Sequence, residues 1–285
     1  MAAGLHKAED GAVKAPLNPS GAIGGRMPEP GSIDVSREGL VAVVTMNRPP
    51  VNALSMAQAG RLAKVFVDLN ADVDLRAIVL TGAGMKAFCA GGDIEEFSRL
   101  DRSGLMNAVR SGQRFLWDLE RAAKPTIAAV NGACLGAGMG LAMSCDLRVA
   151  SESAVFGHPE ASLGLTLAYA NSVRLARLVG VGRAKEMMLT ARRVSAREAL
   201  DFGLANAVVP PTEVRGRALA MARDIAANSP VAVQAAKRAL TEGLEKHYPN
   251  SLVAEARYLA QVLEQPEIWE GFRAYLEKRP PKWRV

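Results

Sequence analysis

Two glycine-rich turns are the parts of this chain best suited to chemistry. One runs through Thr81-Gly-Ala-Gly84 to Ala87-Phe-Cys-Ala-Gly-Gly-Asp93, and the other is Asn131-Gly-Ala-Cys-Leu-Gly-Ala-Gly-Met-Gly140. Each follows a short apolar run and precedes a stretch that predicts a helix. A chain that leaves a strand and enters a helix presents unpaired backbone N–H groups, which favour negative charge. The anion is either a phosphate or the oxygen of a polarised carbonyl.

Two turns of this construction can each aim one N–H group at a common point and so form an oxyanion hole. The plainer alternative is that the glycines only allow tight turns. A third alternative is a dinucleotide-binding oxidoreductase, because Gly136-x-Gly138-x-Gly140 follows a strand and opens a helix. That fingerprint also needs glycine at position 141, which is Leu141 here, so this alternative is disfavoured.

The elements that position these turns have the pattern of an α/β protein. Ile33–Val35 and Leu40–Met46 predict a hairpin, and Ala77–Leu80 and Thr126–Val130 are short, wholly apolar strands. Amphipathic helices separate the strands, which is typical of buried sheets in an α/β core. Capping boxes at Ser55-x-x-Gln58 and Ser195-x-x-Glu198 predict two helix starts. After Ala150 the pattern predicts almost only helix.

Composition limits the functional classes. The chain has 285 residues, 22% charged residues and a net charge of +6, which describes a globular protein of enzyme size. The basic residues are scattered and aromatic residues make up only 5%, so a nucleic-acid partner is disfavoured. No stretch is long and apolar enough to predict a membrane span, and no leader is evident. Three cysteines without paired spacing predict reduced thiols, no metal site and a cytoplasmic protein.

The chain divides by composition into three predicted parts. Residues 1–32 are rich in Ala, Gly and Pro and predict a flexible tail. Residues 33–210 form the predicted catalytic core. Residues 211–285 predict a helical C-terminal subdomain.

Several short motifs occur in a recognisable order along the chain. They are Met46-Asn-Arg-Pro49, Asn52-Ala-Leu54, Ala87-Phe-Cys-Ala-Gly-Gly-Asp93, Lys124-Pro-Thr-Ile-Ala-Ala-Val-Asn-Gly132, Leu135-Gly-Ala-Gly138 and Phe156-Gly-His-Pro-Glu160. In type and order they resemble the crotonase (enoyl-CoA hydratase/isomerase) superfamily, and the resemblance covers residues 33–285. It implies a core of ββα turns with buried sheets, followed by the helical subdomain, which covers CoA and mediates oligomerisation.

The resemblance also implies roles for individual residues. Gly92 and Ala137 would supply the two oxyanion-hole amides, which hold the thioester oxygen of an acyl-CoA. Arg48, Lys86 and Lys278 are candidates for contacts with the CoA phosphates. The residues expected to line the substrate and CoA groove are Ala53, Leu54, Ala90, Gly92, Asp93, Ile94, Gly136 and Ala137.

The departures from the family's pattern bear on the reaction. Hydratases of the family are expected to place two glutamates at the site; one matches Glu160, but the other position is Gly140. Hydration needs a group that orients and activates water, whereas moving a proton between two carbons needs one carboxylate. The sequence therefore predicts an enzyme that isomerises an enoyl-CoA with Glu160 as its single acid/base. Enoyl-CoA hydration and a non-catalytic acyl-CoA binder are the alternatives.

Other residues near Glu160 are candidates for smaller roles. Where the family commonly has proline and several glycines, this chain has Leu167-Ala-Tyr-Ala-Asn-Ser-Val-Arg174. Leu167 and Tyr169 are expected to narrow the acyl pocket, and Tyr169 could supply a phenol to the substrate. His158 could tune Glu160. The resemblance implies no separate cofactor, since CoA enters with the substrate, and a homotrimer or dimer of trimers.

Overall fold

A computed structural model describes residues 31–245, 256–261, 263–265, 270, 274 and 277–283. Most of the predicted tail, residues 1–30, lies outside the described residues, and so does part of the predicted C-terminal subdomain. The strands are β1 (Ser32–Glu38), β2 (Val41–Asn47), β3 (Ala77–Gly82), β4 (Ala87–Cys89), β5 (Thr126–Val130), β6 (Ala133–Leu135), β7 (Leu147–Ser151), β8 (Val155–Gly157), β9 (Arg193–Ser195) and β10 (Ala207–Val209).

Helices follow most of these strands, and a 3₁₀ turn at Pro159–Leu163 follows β8. The helices are α1 (Met56–Ala71), α2 (Ile94–Ser98), α3 (Arg102–Glu120), α4 (Ala137–Ser144), α5 (Asn171–Val179), α6 (Val181–Thr190), α7 (Ala196–Asp201), α8 (Val214–Ala226) and α9 (Pro230–Gly243).

The strands form two sheets, and the chain alternates between them. The larger sheet has the order β1-β2-β3-β5-β7-β10, in which β1 and β2 form the predicted antiparallel hairpin and the other neighbours are parallel. The smaller sheet has the order β4-β6-β8-β9. Thus β3, β5 and β7 lie in the first sheet, and the strand after each, β4, β6 or β8, lies in the second. This is the repeated ββα turn expected from the sequence.

Alternation along the central strands divides the apolar side chains between two cores. On β3, Ile78 and Leu80 pack in the core beneath the smaller sheet, while Ala77 and Val79 pack on the opposite face. The strands β2 and β5 divide their side chains in the same way. Because both faces are covered, these strands are apolar throughout, which explains why the sequence shows them as continuous apolar runs.

Helix α8 covers the outer face of the larger sheet. Its residues Val214, Ala218, Leu219 and Ala222 are buried against side chains of the sheet. The helix thus packs directly on the core, although it lies after residue 210, where the sequence analysis placed the end of the core. The division between a core and a C-terminal subdomain stays a prediction.

The two predicted capping boxes have different outcomes. At Ser195 both halves are present, because the Ser195 side chain accepts from the Glu198 amide and the Glu198 carboxylate accepts from the Ser195 amide. At Ser55 only the first half is present, with Ser55 Oγ accepting from the Gln58 amide. The Gln58 side chain is buried at 1% exposure, so it points into the protein rather than back to the cap.

The prediction that the chain is almost only helical after Ala150 is wrong. Three short strands, β8, β9 and β10, lie in this region and extend the two sheets. Each is three residues long, which is too short for alternation to be distinguished from a helical pattern.

The packing of α8 can be tested by burying a charge beneath it. Ala222→Asp places an unpaired carboxylate on the sheet and should lower the free energy of unfolding by about 3 kcal/mol or more. Gly216→Ala on the exposed side of α8 is the control, and it should raise stability by about 0.5–1 kcal/mol. Urea denaturation measures both, and an unchanged midpoint for Ala222→Asp would contradict this packing.

Candidate active site

The carboxyl ends of three neighbouring parallel strands carry the predicted site residues. In the smaller sheet β4 pairs with β6 and β6 pairs with β8, all parallel. Gly92 follows β4, Ala137 follows β6 and Glu160 follows β8. Parallel neighbours end at the same edge of a sheet, which is where ligands bind in open α/β sheets. The strand register therefore brings together three residues that are far apart in the sequence.

Close backbone contacts hold the two glycine-rich turns against each other. A Cβ atom on Gly136 would lie 3.7 Å from Gly91 Cα. A Cβ atom on Gly138 would lie 2.0 Å from the carbonyl oxygen of Cys89, so only glycine allows α4 to start against the end of β4. Ala137 is the first residue of α4, and its N–H group belongs to the set that a helix leaves unpaired.

The chain segment before α1 forms one wall of this site. Leu54 forms an isolated parallel bridge with Gly92, in which the Leu54 amide donates to the Gly91 carbonyl at 2.8 Å and the Asp93 amide donates to the Leu54 carbonyl at 3.0 Å. The Ala90 amide donates to Val51 at 3.1 Å. These bonds align residues 51–54 with residues 90–93 like two short strands.

Arg48 joins these two segments. Its guanidinium donates to the Ala53 carbonyl at 2.9 Å and to the Asp93 carboxylate, and both side chains of the ion pair are largely buried. The Arg48 guanidinium is therefore already bonded to groups of the protein, which argues against its predicted role as a contact for the CoA phosphates. Lys86 is exposed and agrees better with such a role.

Asp93 caps the helix that begins at Ile94. Its carboxylate accepts from the Glu96 amide at 3.0 Å. Burial works against its ionisation, but this hydrogen bond and the Arg48 guanidinium outweigh burial and hold the pKa of Asp93 below its usual value. Asp93 is thus a structural anion that fixes the turn containing Gly92. The Ile94 side chain itself is 51% exposed.

An apolar cavity of about 500 Å³ opens beside the two amides. Gly92 and Ala137 line it together with Leu54, and helices α1 and α3 form its sides. Small residues on these helices leave the space open, since longer side chains at the same positions would fill it. They are Ala59, Gly60 and Ala63 on α1 and Gly104, Ala108, Ser111 and Gly112 on α3.

Glu160 reaches the start of α4 from the 3₁₀ turn. Its Oε1 lies 3.5 Å from the position that a Cβ atom would take on Gly136, the residue before Ala137. The same Oε1 lies 3.2 Å from Nδ1 of His158, whose side chain is completely buried. The carboxylate is held through Oε1, and its Oε2 is buried without a partner among the described residues.

The ring of Tyr169 forms part of the cavity wall. It lies against α3, where a Cβ atom on Gly112 would be only 2.5 Å from Tyr169 Cε1. Burial and the nearby negative charge of Glu160 raise the pKa of the Tyr169 phenol. The phenol therefore stays protonated near neutral pH. Leu167 is half-buried and does not line the cavity as the structure describes it.

The space beside Gly140 is filled by Asn171 and Leu116. A Cβ atom on Gly140 would lie 2.8 Å from Asn171 Nδ2, 2.9 Å from Asn171 Oδ1 and 3.1 Å from Leu116 Cδ1. A glutamate at position 140 would have to displace the Asn171 amide. The residue that lies closest to this position is therefore Asn171, the first helical residue of α5.

The cysteines agree with the prediction of reduced thiols. Cys89, Cys134 and Cys145 are free and buried, and burial raises the pKa of Cys89 to about 11 and that of Cys145 to about 12. Protonated thiols of this kind are poor nucleophiles. Among the described residues no group of His, Cys, Asp or Glu side chains is arranged to hold a metal ion. No described helix is long and apolar enough to cross a membrane.

Comparison with known proteins decides the family. The family described as "Enoyl-CoA hydratase/isomerase" matches residues 36–285. The chain belongs to this family. It is 39% identical to the short-chain-enoyl-CoA hydratase of Clostridium acetobutylicum, covering 87% of this chain and 95% of that relative. It is 36% identical to the crotonyl-CoA hydratase of Syntrophomonas wolfei, covering 87% and 96% of the two chains.

A solved structure gives the same result for the fold. The enoyl-CoA hydratase of Bacillus anthracis superposes with a TM-score of 0.86 at 37% identity, covering 88% of this chain and 98% of that one. The crotonase fold predicted from the motifs is thus confirmed, and so is an enzyme of the crotonase superfamily that acts on acyl-CoA. The dinucleotide-binding oxidoreductase is excluded as an interpretation of Gly136-x-Gly138-x-Gly140.

Sequence reasoning missed two features of this crotonase-family site. One is Asn171, which the sequence shows only as part of the departure from the family's pattern at residues 167–174. The cavity between α1 and α3 was also missed. Its signal was available, since the small residues on each helix recur three or four positions apart and so share a face.

The predicted oxyanion amide of Ala137 can be removed without removing the helix. Ala137→Pro deletes one N–H donor at the first helical position, where proline fits, and should lower turnover of an enoyl-CoA by about 100- to 1000-fold. Ala137→Gly keeps the amide and is the control. Steady-state kinetics and circular dichroism measure the effect. A folded Ala137→Pro protein with normal turnover would exclude this amide from catalysis.

Proposed function

We propose that the protein hydrates an enoyl-CoA thioester, with Glu160 as the acid/base. The observation that carries this proposal is the position of Glu160 Oε1 next to Gly136, at the start of the helix whose first amide belongs to Ala137. The names of the relatives from Clostridium and Syntrophomonas favour hydration over isomerisation. Hydration, which the sequence analysis held as an alternative, is therefore preferred to the isomerisation that it predicted first.

The reaction can be written with one carboxylate. The Glu160 carboxylate takes a proton from water while the water oxygen bonds to the β-carbon, and the electrons of the double bond move toward the thioester oxygen. The amides of Gly92 and Ala137 hold the negative charge that develops there. Glu160 then gives its proton to the α-carbon. The product is a 3-hydroxyacyl-CoA, and Glu160 ends as the carboxylate with which it began.

His158 has a positioning role in this proposal. Its ring is buried and its Nδ1 lies 3.2 Å from Glu160 Oε1, so a proton on Nδ1 holds that oxygen in place. The second oxygen is then free for proton transfer. The apolar cavity beyond the amides suits an aliphatic acyl chain, and the Tyr169 ring limits its length at the inner end. In this proposal CoA enters as part of the substrate and no further cofactor is needed.

Isomerisation is the second candidate function, favoured by Gly140. Removing a proton from one carbon and returning it to another requires only Glu160 and the two amides. Both functions pass through the same enolate, so they differ in whether a water molecule is held next to the β-carbon. The ratio of the two rates is the measurement that separates them.

Glu160→Gln tests the assignment of the acid/base. The amide has nearly the same shape but cannot accept a proton, so hydration and isomerisation should both fall by more than tenfold, or about 1.4 kcal/mol of transition-state stabilisation. Thermal stability should change little. The exposed Glu152→Gln is the control. If Glu160→Gln keeps more than about a tenth of the wild-type rate, the role moves to Tyr169 or His158.

The wild-type protein distinguishes the two candidate functions. Hydration of crotonyl-CoA, followed by the loss of enoyl absorbance, should proceed at about 10 per second, a median rate for enzymes. Isomerisation of a 3-enoyl-CoA should be slower. Isomerisation that clearly outpaces hydration would reverse the preference and support the sequence prediction in its original form.

A further inference from the structure

The side-chain amide of Asn171 is buried without a partner. The residue is 1% exposed, and both Nδ2 and Oδ1 lack a hydrogen bond to any described residue. Buried side-chain amides nearly always have partners, because an unsatisfied polar group destabilises the folded state. An exception next to a reaction site therefore requires an explanation other than stability.

Asn171 and Glu160 both lie against the first turn of α4. The amide of Asn171 is adjacent to Gly140, and the carboxylate of Glu160 is adjacent to Gly136, the N-cap of the helix. The Gly140 amide donates to the Gly136 carbonyl at 3.0 Å, so the two points of contact are one helical turn apart. Leu116, which lines the cavity, lies against the same point of Gly140 as the amide. The amide is thus next to a residue of the cavity lining.

The backbone before Asn171 is strained in a way that places this amide. Tyr169 and Ala170 both have left-handed conformations, with φ of 63° and 59°, which residues other than glycine rarely adopt. The guanidinium of Arg174 holds the turn, since it donates to the Tyr169 carbonyl and pairs with Glu120 at 2.7 Å. Strained backbone of this kind is concentrated at functional sites.

We propose that Asn171 binds the water molecule that is added to the substrate. The inference rests on the proposed hydratase function and extends it. Of the two hydrogens of that water, one leaves to Glu160 and the other, which stays in the product hydroxyl, is accepted by Asn171 Oδ1. The water oxygen bonds to the β-carbon. An amide cannot take up the proton, so Asn171 orients the water and Glu160 carries out all the proton transfer.

The test compares a reaction that needs this water with one that does not. Hydration of crotonyl-CoA needs it, whereas exchange of the α-protons of butyryl-CoA in D₂O needs only Glu160 and the oxyanion amides. Asn171→Leu removes the amide and should lower hydration by about 10- to 100-fold, which is less than the roughly 100- to 10,000-fold that a group transferring the proton itself contributes. Exchange, measured by mass spectrometry, should stay within about threefold of the wild type.

Stability provides a second readout. Because the amide has no partner among the described residues, Asn171→Leu should keep or raise the thermal midpoint. Asn171→Ala is the second variant in case leucine is too large for the site. Asn228→Leu, at an exposed position between α8 and α9, is the matched control and should leave both reactions unchanged.

The outcomes separate this inference from the proposed function. Loss of hydration with retained exchange supports both. Wild-type hydration that is unaffected in Asn171→Leu and Asn171→Ala overturns the inference and leaves the proposed function in place. An equal fall in hydration and exchange overturns the inference, since the amide would then serve to position Glu160. A wild-type protein that exchanges but does not hydrate overturns the proposed function, and the inference with it, before any variant is made.

Discussion

The parallel pairing of β4, β6 and β8 is the constraint on which the site depends. Each strand is only three residues long, yet the register between them fixes where three loops begin. One loop supplies Gly92, the next Ala137 and the third Glu160. The larger sheet takes part because it carries the strand before each of these three and so determines their order in space.

The cavity exists because the two helices beside it, α1 and α3, carry small side chains on their facing sides. Small residues on α1 and α3 leave room between the helices, and the absence of a side chain on Gly112 lets the Tyr169 ring pack against α3. Larger groups come from the segment before α5, which is strained and held by Arg174. The shape of the cavity therefore depends on pairs of neighbouring positions. Where α3 has a glycine, as at Gly112, a large side chain from another segment, such as Tyr169, occupies the space.

The sequence predicts the elements with strong local signals and misses those that depend on distant contacts. The apolar strands at Ala77 and Thr126 and the cap at Ser195 are confirmed. A strand buried on both faces and a helix cap can each be recognised from a few consecutive residues. The strands after Ala150 are missed, since they form only by pairing with partners far along the chain. Gln58 is a residue type that completes a capping box, but its side chain is buried in the protein and does not bond back to Ser55.

The same distinction applies to the site. The glycine turns were found because helix starts after strands have a recognisable pattern. The resemblance made Arg48 a candidate for contact with the CoA phosphates, whereas its ion pair with Asp93 is visible only in three dimensions. The contact of Asn171 with Gly140 likewise needs the structure, since the sequence cannot say which residue of the segment 167–171 lies nearest to α4.

The burial of α4 has a consequence for how this enzyme can vary. Seven of its residues, Gly138–Ser144, are buried, so the helix is enclosed by the rest of the protein. In the proposed reaction, the amide of Ala137 at the start of this helix would be in position before substrate binds. Selection for new acyl groups would then act on α1, α3 and the turn before α5, which line the cavity. The proposal thus divides the site into a conserved part that stabilises the enolate and a variable part that selects the substrate.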